Sequence, residues 1–285
     1  LWQMSESVFD VVIIGQGLAG SLLAWQLLHA GQRVLVLDDG HSSCSSKVAA
    51  GLINPLAGMR FNCAPRTAEW LHSAHHFYAD LGRHYGRSYF HEIGMQRLFR
   101  STEQIRFYER QQTRGSSAQY LGTRLQPDQV DAGIRAPFGG FQQFQTGYLN
   151  MPLILADLRD WLLAQGALRQ QAVDYQAIQI DQQWVKLADV KARRLVFCEG
   201  YRMHSNPWFG YLPLQPDKGE FLTLSANRQL ARHIINGAHM LIPLANGSYR
   251  FGATHAHHDL QPVATADARA SLWQGVQGLL DQSDD

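Results

Sequence analysis

The chain has 285 residues, of which 45% are hydrophobic, 11% are aromatic and 17% are charged. A chain of this length and apolar content can bury a large core, most readily in two lobes, which excludes a disordered protein. Its 25 Lys and Arg residues face 24 Asp and Glu residues, so the net charge is only +1. We therefore expect no nucleic-acid partner, because this balance creates no broad positive field.

The three cysteines, Cys44, Cys63 and Cys198, are odd in number and widely spaced, and no Cys-x-x-Cys pair occurs. This pattern favours neither a disulfide framework nor a zinc site, so we predict a reducing, cytoplasmic location. No apolar run approaches the ~18 residues of a membrane helix, so we predict no transmembrane segment. We interpret residues 1–3, which precede Met4, as leader residues.

The first forty residues have the pattern of a βαβ unit. Val8–Ile14 is a β-branched run typical of a buried strand, Leu18–Ala30 has helical composition, and Arg33–Leu37 predicts a second strand. Gly15-Gln16-Gly17-Leu18-Ala19-Gly20 joins the first strand to the helix, and Asp38 follows the second strand. Together these features form a complete dinucleotide-binding fingerprint rather than an isolated Gly-rich turn.

Each part of the fingerprint has a physical task. Gly15 permits the tight turn, Gly17 lets the backbone approach a pyrophosphate, and Gly20 lets the helix pack closely on the strand. The helix N-terminus offers unpaired N–H groups to the phosphates. Asp38 can accept hydrogen bonds from ribose hydroxyls, and its charge disfavours the 2′-phosphate of NADP. The fingerprint does not choose between NAD and FAD.

The segment after the fingerprint favours FAD. A plain NAD domain continues with another helix and strand, whereas residues 42–55 are small, polar and rich in turns, so their backbone can pass close to a ligand. A helix is predicted over Thr67–Leu81, with His72, His75 and His76 on or near its polar face. We interpret these histidines as a solvated surface and predict no metal site.

The remaining segments alternate in character. Residues from about 88 to 145 predict a strand-bearing insert with a helix near Glu103–Gln111. A helix capped by Asn150 follows, then strands at 172–180 and 183–188 and a buried strand that ends at Gly200. Strands are predicted at 221–224, 239–244 and 248–253, with a hairpin turn at Asn246-Gly247, and Thr265 is expected to cap a last helix.

Six groups of residues follow one another in a recognisable order. They are the fingerprint at 10–20, Ala49–Pro55 with Gly58-Met59-Arg60, Gly147-Tyr148-Leu149-Asn150, Phe197-Cys198-Glu199-Gly200, Lys218-Gly219-Glu220, and Ile242-Pro243-Leu244 to Gly252-Ala253-Thr254. In this order they resemble the FAD-dependent oxidoreductases of the D-amino-acid oxidase and glycine oxidase family. The resemblance spans nearly the whole chain, and the ordered set is its specific part, because the fingerprint alone is widely shared.

The resemblance implies an α/β fold, α+β overall, in which a Rossmann-like FAD/NAD(P)-binding lobe carries an inserted, mainly antiparallel substrate lobe. We assign residues 5–85 and 147–213 to the FAD-binding lobe and residues 86–146 and 214–285 to the substrate lobe. The implied cofactor is FAD. The residues expected to bind it are Gly15, Gly17, Leu18, Ala19, Gly20, Asp38, Asp39, Ser45, Ser46, Ala49, Ala50, Gly51, Val173, Cys198, Glu199 and Gly200.

The implied activity is oxidation of the C–N bond of a small amine or amino acid. A hydride passes to flavin N5, and the imine that forms is hydrolysed. Since the flavin carries this chemistry, no catalytic acid or base is assigned. Arg60, Tyr249 and Arg250 are candidates for holding a substrate carboxylate, a task that suits the bidentate geometry of Arg. A purely structural role stays open for each of them.

Members of the family usually continue for several dozen residues beyond the equivalent of 259–280, in a segment resembling Gly-Leu-Arg-Pro followed by a Gly-rich stretch. This chain ends at Asp285 without it, so we expect weakened FAD binding and reduced activity. Three alternatives stay open: a flavoprotein domain acting on a modified tRNA nucleoside, an NAD-dependent dehydrogenase, and a non-catalytic relative. The sequence indicates neither the substrate, the electron acceptor, the mode of flavin attachment nor the oligomeric state.

Overall fold

The computed structural model describes residues 7–40 and 44–281, so the leader interpretation of residues 1–3 lies outside the described residues. Contacts divide the chain into two compact units, residues 1–49 with 151–217 and residues 50–150 with 218–285. No helix within the described ranges is both long and apolar enough to cross a membrane.

Sixteen strands and six helices are named here in chain order. The strands are β1 Ser7–Ile14, β2 Val34–Asp38, β3 Leu52–Ile53, β4 Phe90–Glu92, β5 Met95–Leu98, β6 Leu121–Leu125, β7 Gly140–Gln143, β8 Gly147–Leu149, β9 Leu168–Gln170, β10 Ile178–Ile180, β11 Val185–Leu187, β12 Val190–Phe197, β13 Phe221–Leu224, β14 Ile234–Asn236, β15 Met240–Pro243 and β16 Tyr249–Gly252. The helices are α1 Leu18–His29, α2 Ser45–Val48, α3 Thr67–Tyr85, α4 Thr102–Arg114, α5 Met151–Ala164 and α6 Ala266–Leu279.

The first unit is built on a sheet of order β10-β11-β12-β1-β2-β9. β12, β1, β2 and β9 run parallel, and β10 and β11 extend the sheet antiparallel beyond β12. Residues 11–14 and 34–37 are buried and apolar throughout, as expected for central parallel strands covered on both faces. One apolar cluster joins these strands to α1 and α5, and the rings of Trp25 and Trp161 lie 4.4 Å apart within that helix pair.

The second unit is built on a sheet of order β13-β16-β15-β14-β5-β7-β6. Every neighbouring pair in it is antiparallel except β14 with β5, which is parallel. A small sheet of order β3-β8-β4 belongs to the same unit. The predicted fold class, a parallel α/β part with a mainly antiparallel part, is confirmed.

Several local predictions for the second unit are confirmed. The Asn246-Gly247 turn joins β15 to β16, and Gly247 adopts the positive φ of +82° that such a turn requires. Thr265 caps α6, because its Oγ1 accepts a hydrogen bond from the N–H of Ala268 at 3.2 Å. The helix predicted over Glu103–Gln111 is α4, which is somewhat longer.

Other predictions are wrong. A strand was expected over 172–180, but only Ile178–Ile180 is extended into one. Asp174 starts a 3₁₀ turn over Tyr175–Ala177 instead, because its Oδ1 accepts the N–H of Gln176. β14 has no counterpart among the predicted strands.

The contacts also divide the chain differently from our lobe assignment. Residues 50–85 and 147–150 belong by contact to the second unit, although we assigned them to the FAD-binding lobe, and residues 214–217 belong to the first unit, although we assigned them to the substrate lobe. β3 and β8 of the first two ranges pair with each other, and β8 also pairs with β4 of the second unit. The roles given to the two lobes stay a prediction.

Candidate cofactor-binding site

A cavity of about 470 Å³ lies in the first unit, where β1, β2 and β12 end. Ligands of parallel α/β sheets bind at this carboxyl edge, and the volume falls within the range of about 300–1,000 Å³ of small-molecule sites. The cavity is lined by Ile14, Gly15, Gly17, Leu18, Ala19, Leu37, Asp38, Asp39, Cys44, Ser45, Ser46, Gln171, Ala172, Val173, Tyr175, Phe197, Cys198, Glu199, Gly200, Tyr201, Arg202 and Met203.

The three glycines of the fingerprint differ in what surrounds them. Gly15 has a φ of +100°, and a Cβ there would lie 2.4 Å from the carbonyl oxygen of Cys198. A Cβ at Gly20 would lie 1.9 Å from the carbonyl oxygen of Gly15. A Cβ at Gly17 would approach only the side chain of Ser46, at 3.2 Å from Oγ. The outer two glycines therefore permit close packing, while Gly17 presents bare backbone to the cavity.

The N-terminus of α1 faces this cavity without an acidic neighbour in its first turn. Its N-cap is Gly17, which supplies no side-chain cap. The N–H of Leu18 donates to Ser46 Oγ at 3.1 Å, so the short α2 contacts the start of α1. Because a helix N-terminus carries unpaired N–H groups and a partial positive charge, this arrangement suits a phosphate group.

Asp38, at the end of β2, is held in a fixed orientation. Its side chain is buried, with 6% of the residue exposed. Oδ2 accepts the N–H of Gln16 at 2.9 Å, Oδ1 accepts the N–H of Gly40 at 2.9 Å, and Arg159 Nη1 lies 3.8 Å from Oδ1. These contacts fix the carboxylate at the end of β2, where Asp38 lines the cavity.

The wall beyond β12 is a hydrogen-bonded group centred on Glu199. The hydroxyl of Tyr175 donates to Glu199 Oε1, and Asn206 Nδ2 donates to Glu199 Oε2 at 2.8 Å. Burial and then the bond to Glu199 raise the pKa of Tyr175 to about 12, so the phenol stays protonated at neutral pH. Asn206 Oδ1 accepts the N–H groups of Trp208 and Phe209, which begin an aromatic segment.

An ion pair also belongs to this cavity. Arg202 Nη1 donates to Asp39 Oδ2 at 2.5 Å, and both residues line the cavity. The hydrogen bond to Asp39 raises the pKa of the Arg202 guanidinium above its ordinary value. Arg202 therefore stays charged over the whole accessible pH range.

Twelve of the sixteen residues predicted to bind the cofactor line this cavity. They are Gly15, Gly17, Leu18, Ala19, Asp38, Asp39, Ser45, Ser46, Val173, Cys198, Glu199 and Gly200. Their contact with a cofactor stays a prediction. Sequence reasoning missed Tyr175, Tyr201, Arg202 and Met203, which lie in 3₁₀ turns that no periodic pattern marks.

The other four predicted residues do not line the cavity. Gly20 lies behind the cavity wall, against Gly15. Ala49 is absent from the lining, while Ala50 and Gly51 belong to the second unit. A Cβ at Gly51 would lie 2.1 Å from the carbonyl oxygen of Leu149, so Gly51 serves the close approach of β3 to β8.

The three candidates for substrate binding have separate surroundings in the second unit. The Arg60 guanidinium lies 5.5 Å from the ring centroid of Phe107, beside a surface cavity of about 390 Å³. The hydroxyl of Tyr249 accepts the N–H of Leu230 at 2.9 Å within the core. The Arg250 guanidinium lies 5.6 Å from the ring centroid of Phe221, and burial lowers its pKa. The three candidates thus have different surroundings among the described residues, and their role in binding a carboxylate stays a prediction.

Comparison with known proteins gives one family and many similar folds. A family model described as FAD dependent oxidoreductase (DAO) matches residues 10–285. Glycine oxidase from Geobacillus kaustophilus has a TM-score of 0.79 at 17% identity, over 96% of this chain and 78% of that chain. Iminodiacetate oxidase from Chelativorans has a TM-score of 0.78 at 17% identity, over 95% of this chain and 79% of that chain.

Two further similarities have different extents. Glycine oxidase from Bacillus cereus has a TM-score of 0.76 at 21% identity, over 95% of this chain and 78% of that chain. Protein FixC from Escherichia coli is 46% identical over 48 residues, which are 17% of this chain and only 11% of FixC. The solved structures show a shared fold at these identities, and the FixC match concerns a short segment.

The residues that line the cavity fit FAD, the cofactor of the matching family. The bare backbone at Gly17, the N-terminus of α1 without a cap from its own N-cap residue, and the buried Asp38 are features that suit an adenine dinucleotide. The prediction of FAD as the cofactor is confirmed by the family match.

Proposed function

Because this chain belongs to the FAD-dependent oxidoreductase (DAO) family, we propose that it oxidises the C–N bond of a small amine or amino acid with FAD as its cofactor. The observation that supports this proposal is the cavity of the first unit, where Gly17, the N-terminus of α1 and Asp38 meet. No second function is favoured by a specific observation, and the balanced charge disfavours a tRNA substrate.

In the proposed mechanism, the chain's own residues bind and orient the cofactor. The N–H groups at the start of α1 bind the pyrophosphate, and Asp38 binds the ribose hydroxyls of the adenosine half. Val173 and Tyr175 also line the cavity. When bound, FAD supplies the two-electron acceptor that oxidation of a C–N bond requires.

Tyr175 and Glu199, which are hydrogen-bonded to each other, form a polar part of the cavity wall. The pKa of Tyr175 is raised to about 12, so its hydroxyl remains a donor to Glu199 and does not become a second negative charge. The Asp38 carboxylate disfavours a further phosphate at the ribose, so we propose selectivity against NADP. These residues position the cofactor, and none of them is assigned a proton transfer from substrate.

The substrate class is proposed from the named activities of similar folds. Glycine oxidase, iminodiacetate oxidase and L-proline dehydrogenase from P. horikoshii all carry the names of small amino or imino acids. We extend this class to the present chain. Arg60, Tyr249 and Arg250 stay proposals for binding a substrate carboxylate; the Tyr249 hydroxyl accepts the N–H of Leu230 and keeps its own O–H for donation. A cytoplasmic location stays a proposal as well.

Reconstitution and anaerobic reduction test this function. Because weakened binding is expected from the sequence, FAD is titrated into the purified protein, and we expect the flavin bands of the visible spectrum to shift as FAD binds. Glycine, L-proline, iminodiacetate and a panel of D- and L-amino acids are then added without oxygen. Bleaching of the flavin by one of them supports the proposal. Bound FAD that no amine or amino acid reduces contradicts the substrate class, and failure to bind FAD contradicts the flavoenzyme itself.

A further inference from the structure

One segment of the cavity wall contributes no side chain to the hydrophobic core. Residues Gly200–Ser205 form a 3₁₀ helix in which no residue is buried, yet Gly200, Tyr201, Arg202 and Met203 line the cavity. Gly200 has a φ of +58°, and a Cβ there would meet no heavy atom within 4 Å. Polar contacts therefore contribute to where this segment lies.

The two ends of the segment are joined to each other. Glu199 precedes it and Asn206 follows it, and Asn206 Nδ2 donates to Glu199 Oε2 at 2.8 Å. Tyr175 holds the other oxygen of Glu199 through its hydroxyl. The residues on either side of the 3₁₀ segment Gly200–Ser205 are thus hydrogen-bonded to each other, and Tyr175 fixes one of them. We call this segment the loop.

Arg202 connects this loop to the opposite side of the cavity. Asp39 directly follows β2, whereas the loop follows β12, and β1 lies between these two strands in the sheet. The ion pair joins Arg202 Nη1 to Asp39 Oδ2 at 2.5 Å. It therefore spans the edge of the sheet at which β1 ends, next to Gly15. The two side chains are 46% and 30% exposed, so the pair can separate without breaking the core.

The ion pair also adjusts the charge of the cavity. Three carboxylates line it, those of Asp38, Asp39 and Glu199, and Arg202 is the one Lys or Arg among the described lining residues. A dinucleotide brings two negative charges on its pyrophosphate. Neutralising Asp39 therefore reduces repulsion between the cavity and this ligand.

We propose that Arg202 is a positioning residue that retains an adenine dinucleotide, through an ion pair with Asp39 that holds Gly200–Ser205 across the cavity. The inference rests on the proposed function in taking FAD as that dinucleotide. The pair must open for the ligand to leave, so its strength contributes to the rate of release. An exposed ion pair of this kind changes an equilibrium by about fivefold at most.

The test measures how fast bound FAD leaves. The FAD-loaded protein is mixed with an excess of an apoflavoprotein trap, and flavin release is followed by fluorescence. We expect Arg202→Gln, which breaks the pair and leaves the Asp39 charge in the cavity, to release FAD about three- to fivefold faster at low salt. Arg202→Lys should restore most of the wild-type rate. At about 1 M salt the variants and the wild type should converge, because the ion pair is screened.

The chain offers a matched control for a merely structural effect. Arg169 pairs with Asp189 at 2.8 Å in the same unit, with side chains 37% and 42% exposed, and neither residue lines the cavity. We expect Arg169→Gln to leave the release rate unchanged. The proposal is overturned if Arg202→Gln releases FAD at the wild-type rate, or if Arg169→Gln accelerates release equally.

A second ligand separates this inference from the proposed function. ADP carries the adenosine and pyrophosphate groups without the flavin, and its dissociation is measured in the same variants. If the wild type binds ADP but not FAD, the flavoenzyme proposal fails. The ion pair is then tested by dividing the rate of ADP release from Arg202→Gln by the rate from Arg169→Gln. A ratio of about three to five supports the inference, and a ratio of one overturns it. A wild type that binds neither ligand overturns both proposals.

Discussion

Buried polar residues have different tasks in the two units. In the first unit, the buried Asp38 lines the cavity, and the buried Gln16 and Asn206 are hydrogen-bonded to the lining residues Asp38 and Glu199. In the second unit, the buried Arg97 donates to the carbonyl oxygens of Leu56 and Gly58, and the amide nitrogen of the buried Gln143 donates to Asn54. A buried polar group therefore supports a binding site only where it lies at a cavity.

Arg97 illustrates the second unit. Its guanidinium donates to the carbonyl oxygens of Leu56 at 3.1 Å and Gly58 at 2.6 Å, and lies 4.8 Å from the ring centroid of Phe61. Burial lowers its pKa to about 10, which leaves it charged at neutral pH. The contacts bind this arginine to one loop of its own unit, so its charge maintains local structure.

The helix N-termini show the same contrast. The N-cap of α1 is Gly17, which has no side chain, and the N-terminus of α1 faces the cavity. The N-cap of α6 is Thr265, whose N–H and Oγ1 donate to Glu220 and whose Oγ1 also accepts the N–H of Ala268. The helix with a glycine N-cap is the one placed to receive an anion, and the helix capped by its own threonine serves the packing of its unit.

The largest expected effect is that of Gly20→Ala. The new Cβ would lie 1.9 Å from the Gly15 carbonyl oxygen, so α1 must shift away from β1. We expect a loss of about 3 kcal/mol of unfolding free energy, together with loss of FAD retention, measured by denaturant unfolding and by the visible spectrum. Gly278→Ala in α6 is the control, since its Cβ would meet nothing within 4 Å. Equal stability of both variants would contradict the claim that Gly20 is needed for α1 to pack closely on β1.

Next in size is Asp131→Asn in the second unit. Asp131 accepts the N–H groups of Arg232 and His233 and bonds the side chains of Gln96 and His233. The amide of Asn cannot accept from all four, so we expect a loss of about 2 kcal/mol at neutral pH with FAD retention unchanged. Asp128→Asn, on the exposed surface, is the control. An impaired FAD retention would contradict the separation of tasks between the units.

The same variant has a defined pH dependence. Burial opposes ionisation of Asp131, but the hydrogen bonds from His233 and Arg232 outweigh it and lower the pKa of the carboxyl. Its stabilising contribution is therefore complete above the unfolded pKa of about 3.9 and is lost as the pH falls through the lower folded value. We expect the stability difference between wild type and Asp131→Asn to be constant above about pH 5 and to shrink below about pH 4. A difference that grows on acidification would contradict this sign.

Asp38→Asn should affect the ligand more than the fold. It replaces one acceptor oxygen by a donor beside the N–H groups of Gln16 and Gly40. We expect FAD affinity to fall about tenfold, equivalent to about 1.4 kcal/mol, in a fluorescence titration. Asp189→Asn, outside the cavity, provides the control. Unchanged affinity in Asp38→Asn would remove Asp38 from the binding site.

The smallest expected effect is that of Thr265→Ala. Removing the cap of α6 should cost about 1 kcal/mol of unfolding free energy, measured by denaturant titration. Thr265→Ser keeps the hydroxyl and should retain most of the stability. FAD retention should not change in either variant, and a change would contradict the assignment of α6 to structure alone.

The sequence predicts local structure better than contacts between distant segments, for a physical reason. The fingerprint places its strand, turn, helix and acid within forty residues, so local spacing defines the geometry. Arg202 and Asp39 are 163 residues apart, and nothing in either local pattern indicates that they meet. β14 is a three-residue strand, too short for periodicity to detect.

The substrate-binding candidates show the same limit. Arg60, Tyr249 and Arg250 were chosen by residue type and by position in resembling motifs. Residue type alone does not reveal that the Tyr249 hydroxyl accepts the N–H of Leu230, or that the two guanidinium groups lie over Phe107 and Phe221. Such contacts join elements distant in sequence, which spacing does not predict.

The order of the sheets has a consequence for synthesis of the chain. β1 is complete at Ile14, but its partner β12 begins at Val190. β5 likewise pairs with β14, which is synthesised much later, and Met95 lies opposite Ile234 in this pair. Because the two halves of each unit alternate along the chain, the ribosome releases the first halves of both sheets before the second half of either. During that interval β1 and β5 each present an unpaired edge, and the nascent chain carries two incomplete sheets at once.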